Sequence, residues 1–205
     1  MNLWTILPVK MLHRTKSRLA GVLSPDERAA LTLHLLERTL GLLPLVPGLG
    51  ETAVITQDPV VSQLATQFGC QTLAELPGSG LNGAVSAGVA LAAQNGASHC
   101  LILPSDLPFL QANELAELVG LAETAVSQPT VILCGDRQQQ GTNALIVPTE
   151  VGFCFGYGRN SFQYHQHEAT RLKLPCNIAN LPTLQFDLDT EQDWALYKAN
   201  CFLKS

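Results

Sequence analysis

The sequence predicts an α/β fold, a mostly parallel sheet sandwiched by helices, and three observations carry that expectation. Short apolar runs alternate with longer amphipathic stretches along the chain, the order that βαβ units produce. Several of the runs are continuously apolar, as strands covered on both faces are. Apolar residues make up 46% of the 205 positions and charged residues 14%, enough to bury a sizeable core in a single domain over residues 1–205.

Residues 3–9 are a compact apolar run closed by Pro8 and Lys10, the first buried strand. Ser24, Pro25, Asp26 and Glu27 then spell a helix start, with a Ser cap, Pro at the first helical position and Glu reaching back. That helix should run to about residue 43. A β-branched strand follows over residues 52–56, then a helix over 59–68 and a short strand over 71–73. Asn82 can cap an Ala-rich helix to about residue 94, and residues 100–103 form the most buried-looking strand. A helix over 112–125 and strands over 130–134 and 144–147 come next. The remainder is less regular: residues 161–171 read as helix and 184–186 as extended. Thr190 with Asp193 gives a capping pair for a C-terminal helix. In such a sheet ligands sit beyond the carboxyl ends of the strands, so the loops there are the places to look for chemistry.

Twelve Lys and Arg stand against 17 Asp and Glu, a net charge of −5, which offers no general basic field for nucleic acid or an anionic membrane. The Leu-rich stretch over residues 31–49 is broken by His34, Glu37, Arg38, Pro44 and Pro47 and is no membrane span. The six cysteines never fall as Cys-x-x-Cys, so no zinc or redox signature is present and most read as reduced, buried thiols. The N-terminus reads as structure rather than as a signal peptide, and a cytoplasmic protein is expected.

Lys10, Arg14, Lys16 and Arg18 put four of the 12 basic side chains into nine residues directly after the first strand, where uniform scatter would place about half of one. A solvated loop is the plain alternative. A loop leaving the carboxyl end of strand one, with Ser17 among the cations, is also where α/β sheets receive phosphates. No Gly-x-Gly-x-x-Gly follows the strand and no Gly-Lys-Ser/Thr occurs, which argues against a dinucleotide site and a Walker-type site.

Asp106 ends a buried strand between Pro104 and Pro108, which restrict the backbone on both sides of it. Asp187 and Asp189 form a second acidic pair, and residues two apart on an extended segment point to one side. Strand-end Asp residues are often only caps. Converging carboxylates repel, however, and a divalent cation such as Mg²⁺ removes that penalty. Gly141, Thr142, Asn143 and Gly158, Arg159, Asn160, Ser161 are the remaining polar clusters. Ser161 can open a helix and offer its hydroxyl and nearby N–H groups to an anion, though turn chemistry alone accounts for Gly and Asn there. His165 follows one turn later on the same face, where a lone His is usually a packing residue.

Taken together, Pro8-Val9-Lys10 with Lys16 to Ala20, Leu81-Asn82, the stretch Leu103-Pro104-Ser105-Asp106-Leu107-Pro108, Gly141 to Leu145, Gly158 to Phe162 with His165, and Asp187 to Thr190 resemble the 2-phospho-L-lactate guanylyltransferase family over nearly the whole chain. The resemblance implies a nucleotide-diphospho-sugar transferase (glycosyltransferase-A-like, Rossmann-like) fold. It also implies transfer of GMP from GTP to a small phosphorylated acid, with release of pyrophosphate, in biosynthesis of the deazaflavin coenzyme F-420. The acid is 2-phospho-L-lactate, phosphoenolpyruvate or, in some members, 3-phospho-D-glycerate. Carried over by residue, Thr142, Gly158 and Ser161 match the acid-binding positions, and Asp106, Asp187 and Asp189 match the Mg²⁺ carboxylates. Lys10, Lys16 and Arg18 match the loop around the triphosphate, and Asn82 lies near the base or ribose. A homodimer stays open. The rival readings are a molybdenum-cofactor or sugar-phosphate nucleotidyltransferase on the same fold, and a GTP-binding regulator without turnover.

Overall fold

The first strand, β1 (Leu3–Pro8), is buried along almost its whole length and shows how the layers are built. Its side chains alternate between two cores: Leu3 and Leu7 join one, Trp4 and Ile6 the other, as the two-residue strand period requires. The computed structural model describes residues 1–75, 78–125 and 128–202. Around β1 stand β2 (Leu49–Ile55), β3 (Gln71–Leu73), β4 (His99–Ile102), β5 (Val131–Gly135), β6 (Thr142–Pro148) and β7 (Cys176–Ile178). They form one sheet in the order β3-β2-β1-β4-β6-β5-β7. β1 pairs in parallel with β2 and β4, β2 with β3, and β5 with β7. β6 alone among these strands is reversed, antiparallel to both β4 and β5.

The helices are α1 (Pro25–Leu42), α2 (Pro59–Gln67), α3 (Gly80–Gln94), α4 (Ala112–Thr124), α5 (Ser161–Arg171) and α6 (Glu191–Phe202). Leu36 and Leu40 of α1, Val61 of α2 and Leu118 of α4 pack on one face of the sheet, and Val85 of α3 and Phe162 of α5 on the other. The predicted sandwich is therefore what forms. Among the described residues no helix is long and apolar enough to cross a membrane.

The α1 start is a full capping box: Glu27 N–H donates to Ser24 Oγ at 3.3 Å and Ser24 N–H to the Glu27 carboxylate at 2.7 Å, which satisfies two otherwise orphaned donors. The Thr190–Asp193 pair closes in the same way, at 2.8 and 3.2 Å. Two sequence expectations need correction, and one strand lies beyond them. Asn82 is not a helix cap, because α3 already begins at Gly80. Residues 184–186 form no strand: Leu184 N–H bonds to Leu181 O in a turn, and Leu184 and Phe186 are apolar because they are buried. β7 carries no sequence signal, being a three-residue, partly exposed edge strand with no apolar period.

The helix α3 lies unusually close to the sheet at Gly88, where a Cβ would stand 2.6 Å from Ile6 Cγ2 and 3.0 Å from Ile55 Cδ1. Gly88→Ala is therefore expected to destabilise the fold by about 1–3 kcal/mol despite the better helix propensity of Ala. Urea unfolding checks this; a variant as stable as the parent would show that α3 can lift without loss.

Candidate active site

The carboxyl ends of β1 and β4 and the start of the reversed β6 open on one cleft of about 1030 Å³. Lys10, Lys16, Arg18, Asp106, Thr142, Gly158, Ser161, Asp187 and Asp189 all line it. Residues up to 179 positions apart in sequence are thus brought together. Asn82 is the exception: it is not among the lining residues, and its amide is engaged with Tyr157, taking the Tyr157 N–H at 2.7 Å and facing its carbonyl at 3.5 Å.

The basic loop is held from three sides. Leu12 N–H donates to Asp58 Oδ2 at 2.9 Å, while the other oxygen of Asp58 caps α2 by accepting from Val60 and Val61 N–H. Thr32 of α1 donates to the Thr15 hydroxyl at 2.9 Å, and Leu19 is fully buried with Leu23, Phe186 and Leu188. Lys16 between these anchors takes a left-handed φ of 51°, a conformation that is disfavoured for a residue with a Cβ. It turns the amine inward, where the side chain is only 4% exposed.

There the Lys16 ammonium joins the two acidic segments. Its Nζ lies 2.7 Å from Asp106 Oδ2 and 3.1 Å from Asp189 Oδ1. Burial lowers the affinity of this amine for its proton, but Asp106 and then Asp189 more than offset that, so its pKa lies above the ordinary lysine value. Arg18 stands farther out, 3.9 Å from Asp189 Oδ2. Leu188 points away into the small core beside Leu19, which leaves Asp187 and Asp189 on the cleft side as their two-residue spacing requires. Leu188 N–H also donates to Asp106 O at 3.1 Å, tying the two acidic segments together.

Asp187 carries the electrostatic load. Its pKa is pushed up to about 6, first by burial and then by the nearby Asp106 and Asp189 charges. Because the folded protein holds this proton more tightly than the unfolded chain, its contribution to stability is full below about pH 4 and is lost as pH rises through 6. Asp187→Asn is therefore expected to gain on the parent over that range, by at most about 3 kcal/mol near pH 7. Denaturant midpoints of both proteins at pH 4 and pH 7, without metal, test this; a difference independent of pH would contradict it.

Several residues that brace the site carry weaker sequence signals. Asp193, foreseen only as a cap, also takes Asp189 N–H at 3.3 Å and pairs with Arg137. The Arg137 guanidinium lies 4.2 Å from the centre of the Phe186 ring. Asp136 folds the turn between β5 and β6 by accepting from Gln138, Gln140 and Gly141 N–H groups at 2.8–3.0 Å. Asn143 Nδ2 binds Leu184 O at 3.0 Å and approaches Asp187 at 3.5 Å. An Asx residue after a strand is a detectable turn signal; which loop it holds is not.

Thr142, which begins β6, and Ser161, which begins α5, line the same cleft. Gly158 has φ 135°, outside the range side chains readily adopt, and precedes the helix that presents Ser161. His165 of α5 is fully buried behind Thr142 and contacts its hydroxyl at 2.9 Å. Residues 153–157 pack over α5: Cys154 N–H donates to Glu168 at 2.8 Å and Gly156 N–H to His165 Nε2 at 3.1 Å. Glu168 is itself held by Arg171 at 2.6 and 2.7 Å, which keeps its carboxyl well below the usual range, at about 2. Among the described residues no group of three or more His, Cys, Asp or Glu side chains is already gathered as a metal cage; the place between Asp106 and Asp189 is taken by the Lys16 ammonium.

A largely parallel sheet with one reversed strand and a cleft at the carboxyl ends of its strands has the nucleotide-diphospho-sugar transferase fold. A nucleotidyl transferase from Methanothermobacter superposes with TM-score 0.73 at 14% identity, covering 100% of this chain and 99% of that one. Residues 3–197 match the model of the family described as "Guanylyl transferase CofC like", and the chain belongs to that family. The phosphoenolpyruvate guanylyltransferase of Rubrobacter xylanophilus is 36% identical over 200 residues, 98% of this chain and 95% of the relative. The 3-phospho-D-glycerate guanylyltransferase of Colwellia psychrerythraea is 29% identical over 191 residues, 93% of this chain and 89% of the relative. The chain is a guanylyltransferase, and the expected family, fold and enzyme class hold.

Proposed function

We propose that this guanylyltransferase joins GMP from GTP to phosphoenolpyruvate or 2-phospho-L-lactate and releases pyrophosphate, as a cytoplasmic step in coenzyme F-420 assembly. The observation that carries the reading is the meeting of Lys16, Asp106 and Asp189 in the same cleft that Thr142 and Ser161 line. The first group suits a triphosphate and the second an acid that carries its own phosphate.

No protein nucleophile is needed. An oxygen of the acid's phosphate, ionised at neutral pH, forms a bond to the α-phosphorus of GTP. The bond to the bridging oxygen breaks, and pyrophosphate leaves with the electron pair. Lys10, Lys16 and Arg18 take up charge on the leaving phosphates, and Thr142, Ser161 and the backbone at Gly158 hold the acid in line. Asn82 acts on this cleft through its grip on Tyr157, which lines it.

The acidic residues fit a hard divalent cation. Asp106 and Asp189 already share one positive charge, and Asp187 is strained by two neighbouring negative ones. Asp106, Asp187 and Asp189 would hold Mg²⁺ once Lys16 turns to the phosphates. The ion, when bound, supplies charge neutralisation at phosphate oxygens.

A second reading, transfer to 3-phospho-D-glycerate, is supported by the relative named for that acid. Pyrophosphate release from GTP with each of the three acids, with mass detection of the guanylylated product, decides the matter. We expect turnover with phosphoenolpyruvate or 2-phospho-L-lactate; turnover with 3-phospho-D-glycerate alone selects the second reading. GTP binding without pyrophosphate release with any acid would make the protein a regulator and overturn both.

A further inference from the structure

We propose that His165 is a positioning residue that fixes the Thr142 hydroxyl as a one-way donor to an anionic oxygen of the phosphorylated acid. This rests on the reading of Thr142 as an acid-binding residue.

The geometry leaves one proton arrangement. A backbone N–H can only donate, so the Gly156 N–H, 3.1 Å from His165 Nε2, requires a lone pair on that nitrogen. The ring proton of the neutral imidazole is then on Nδ1, which faces Thr142 Oγ1 at 2.9 Å and must donate to it. Burial keeps the ring neutral, with a pKa held down at about 4 although Glu168 acts in the other direction. A hydroxyl carries one hydrogen. With its oxygen already accepting from His165, the Thr142 O–H is left with its hydrogen, and no described residue accepts it.

The surroundings keep this arrangement in place. His165 is fully buried, and its ring sits against Tyr157 with centroids 4.9 Å apart, with Phe153 at 5.9 Å and Tyr164 at 5.7 Å. Thr142 is a β-branched residue on a strand, where χ1 is restricted. Thr142 lines the cleft and His165 does not. The imidazole therefore acts through the hydroxyl, presetting it for a phosphate or carboxylate oxygen. The segment 153–157, through Gly156, chooses the tautomer.

Two near-isosteric variants separate this role from simple support of that segment. His165→Asn can put an amide N–H where Nδ1 was and lose the acceptor for Gly156. His165→Gln can put a carbonyl where Nε2 was and lose the donor to Thr142. With phosphoenolpyruvate varied at saturating GTP, we expect His165→Asn to stay within about threefold of the parent KM and His165→Gln to raise it about tenfold or more. The KM for GTP should not move in either. Equal losses in the two variants, or the reverse order, overturn the proposal.

Thr142→Val should raise the phosphoenolpyruvate KM as much as His165→Gln does, and the double variant should be no worse than Thr142→Val alone. A Thr142→Val protein with parental KM sinks the acid-binding reading of Thr142. An impaired Thr142→Val beside an unimpaired His165→Gln sinks only the positioning role. ¹⁵N NMR of the parent protein, which needs no variant to fold, should show His165 protonated at Nδ1 and bare at Nε2; the opposite tautomer refutes the proposal.

Discussion

Asp106→Asn is expected to lower kcat by about a thousandfold or more while the protein remains folded. Asp106 has one oxygen on Lys16 Nζ, and its side chain is 27% exposed, so the amide replacement fits without a buried vacancy. What it loses is a full negative charge at the point where the acidic segments face the basic loop. Asp189→Asn should act in the same direction, since Asp189 holds the other side of the same ammonium. Steady-state pyrophosphate release, with circular dichroism to verify folding, measures the effect. Parental kcat in folded Asp106→Asn would remove this carboxylate from the reaction.

Lys16→Met is expected to reduce kcat by about a hundredfold to a thousandfold, the scale for losing a preorganised group that stabilises developing charge. The same change should produce an opposite effect on cation binding. Lys16 is buried between Asp106 and Asp189 and competes for the oxygens that a divalent ion would use. Without the ammonium, Mn²⁺ added as a probe should bind more tightly to the free protein even as turnover collapses. Met fills a similar volume, and both carboxylates reach solvent, so gross unfolding is not expected. A variant that loses Mn²⁺ affinity along with activity would show that Lys16 organises the carboxylates and does not compete for them.

The sheet and its helices were legible because they rest on local chemistry. The apolar run of β1, the capping box at Ser24 and the Thr190–Asp193 pair each carry their signal within a few residues. Residues 184–186 read as a strand because burial of a turn, Leu184 in the main core and Phe186 in the small one, gives the same apolar pattern as burial within a sheet. β7 escaped notice because an edge strand of three residues, held by a parallel partner, has no period to read. In the site, the two-residue spacing of Asp187 and Asp189 foretold their shared side, since Leu188 turns inward between them.

Other features of the site are properties of the folded chain alone. The anchoring of the basic loop by Asp58 spans 46 residues, and the pairing of Lys16 with Asp189 spans 173. No local pattern encodes either. His165 reads as a packing residue, and it is one; its contact with Thr142 depends on α5 packing on β5, beside which the reversed β6 lies.

The most direct test of the site is Mn²⁺ binding followed by electron paramagnetic resonance, in the presence of a GTP analogue that cannot be cleaved. The parent protein should bind one ion per chain at this cleft, and Asp106→Asn and Asp189→Asn should each weaken it by about a hundredfold. Equal Mn²⁺ affinity in the parent and in a folded variant with Asp106, Asp187 and Asp189 all replaced by Asn would contradict the assignment of these three carboxylates to a cation.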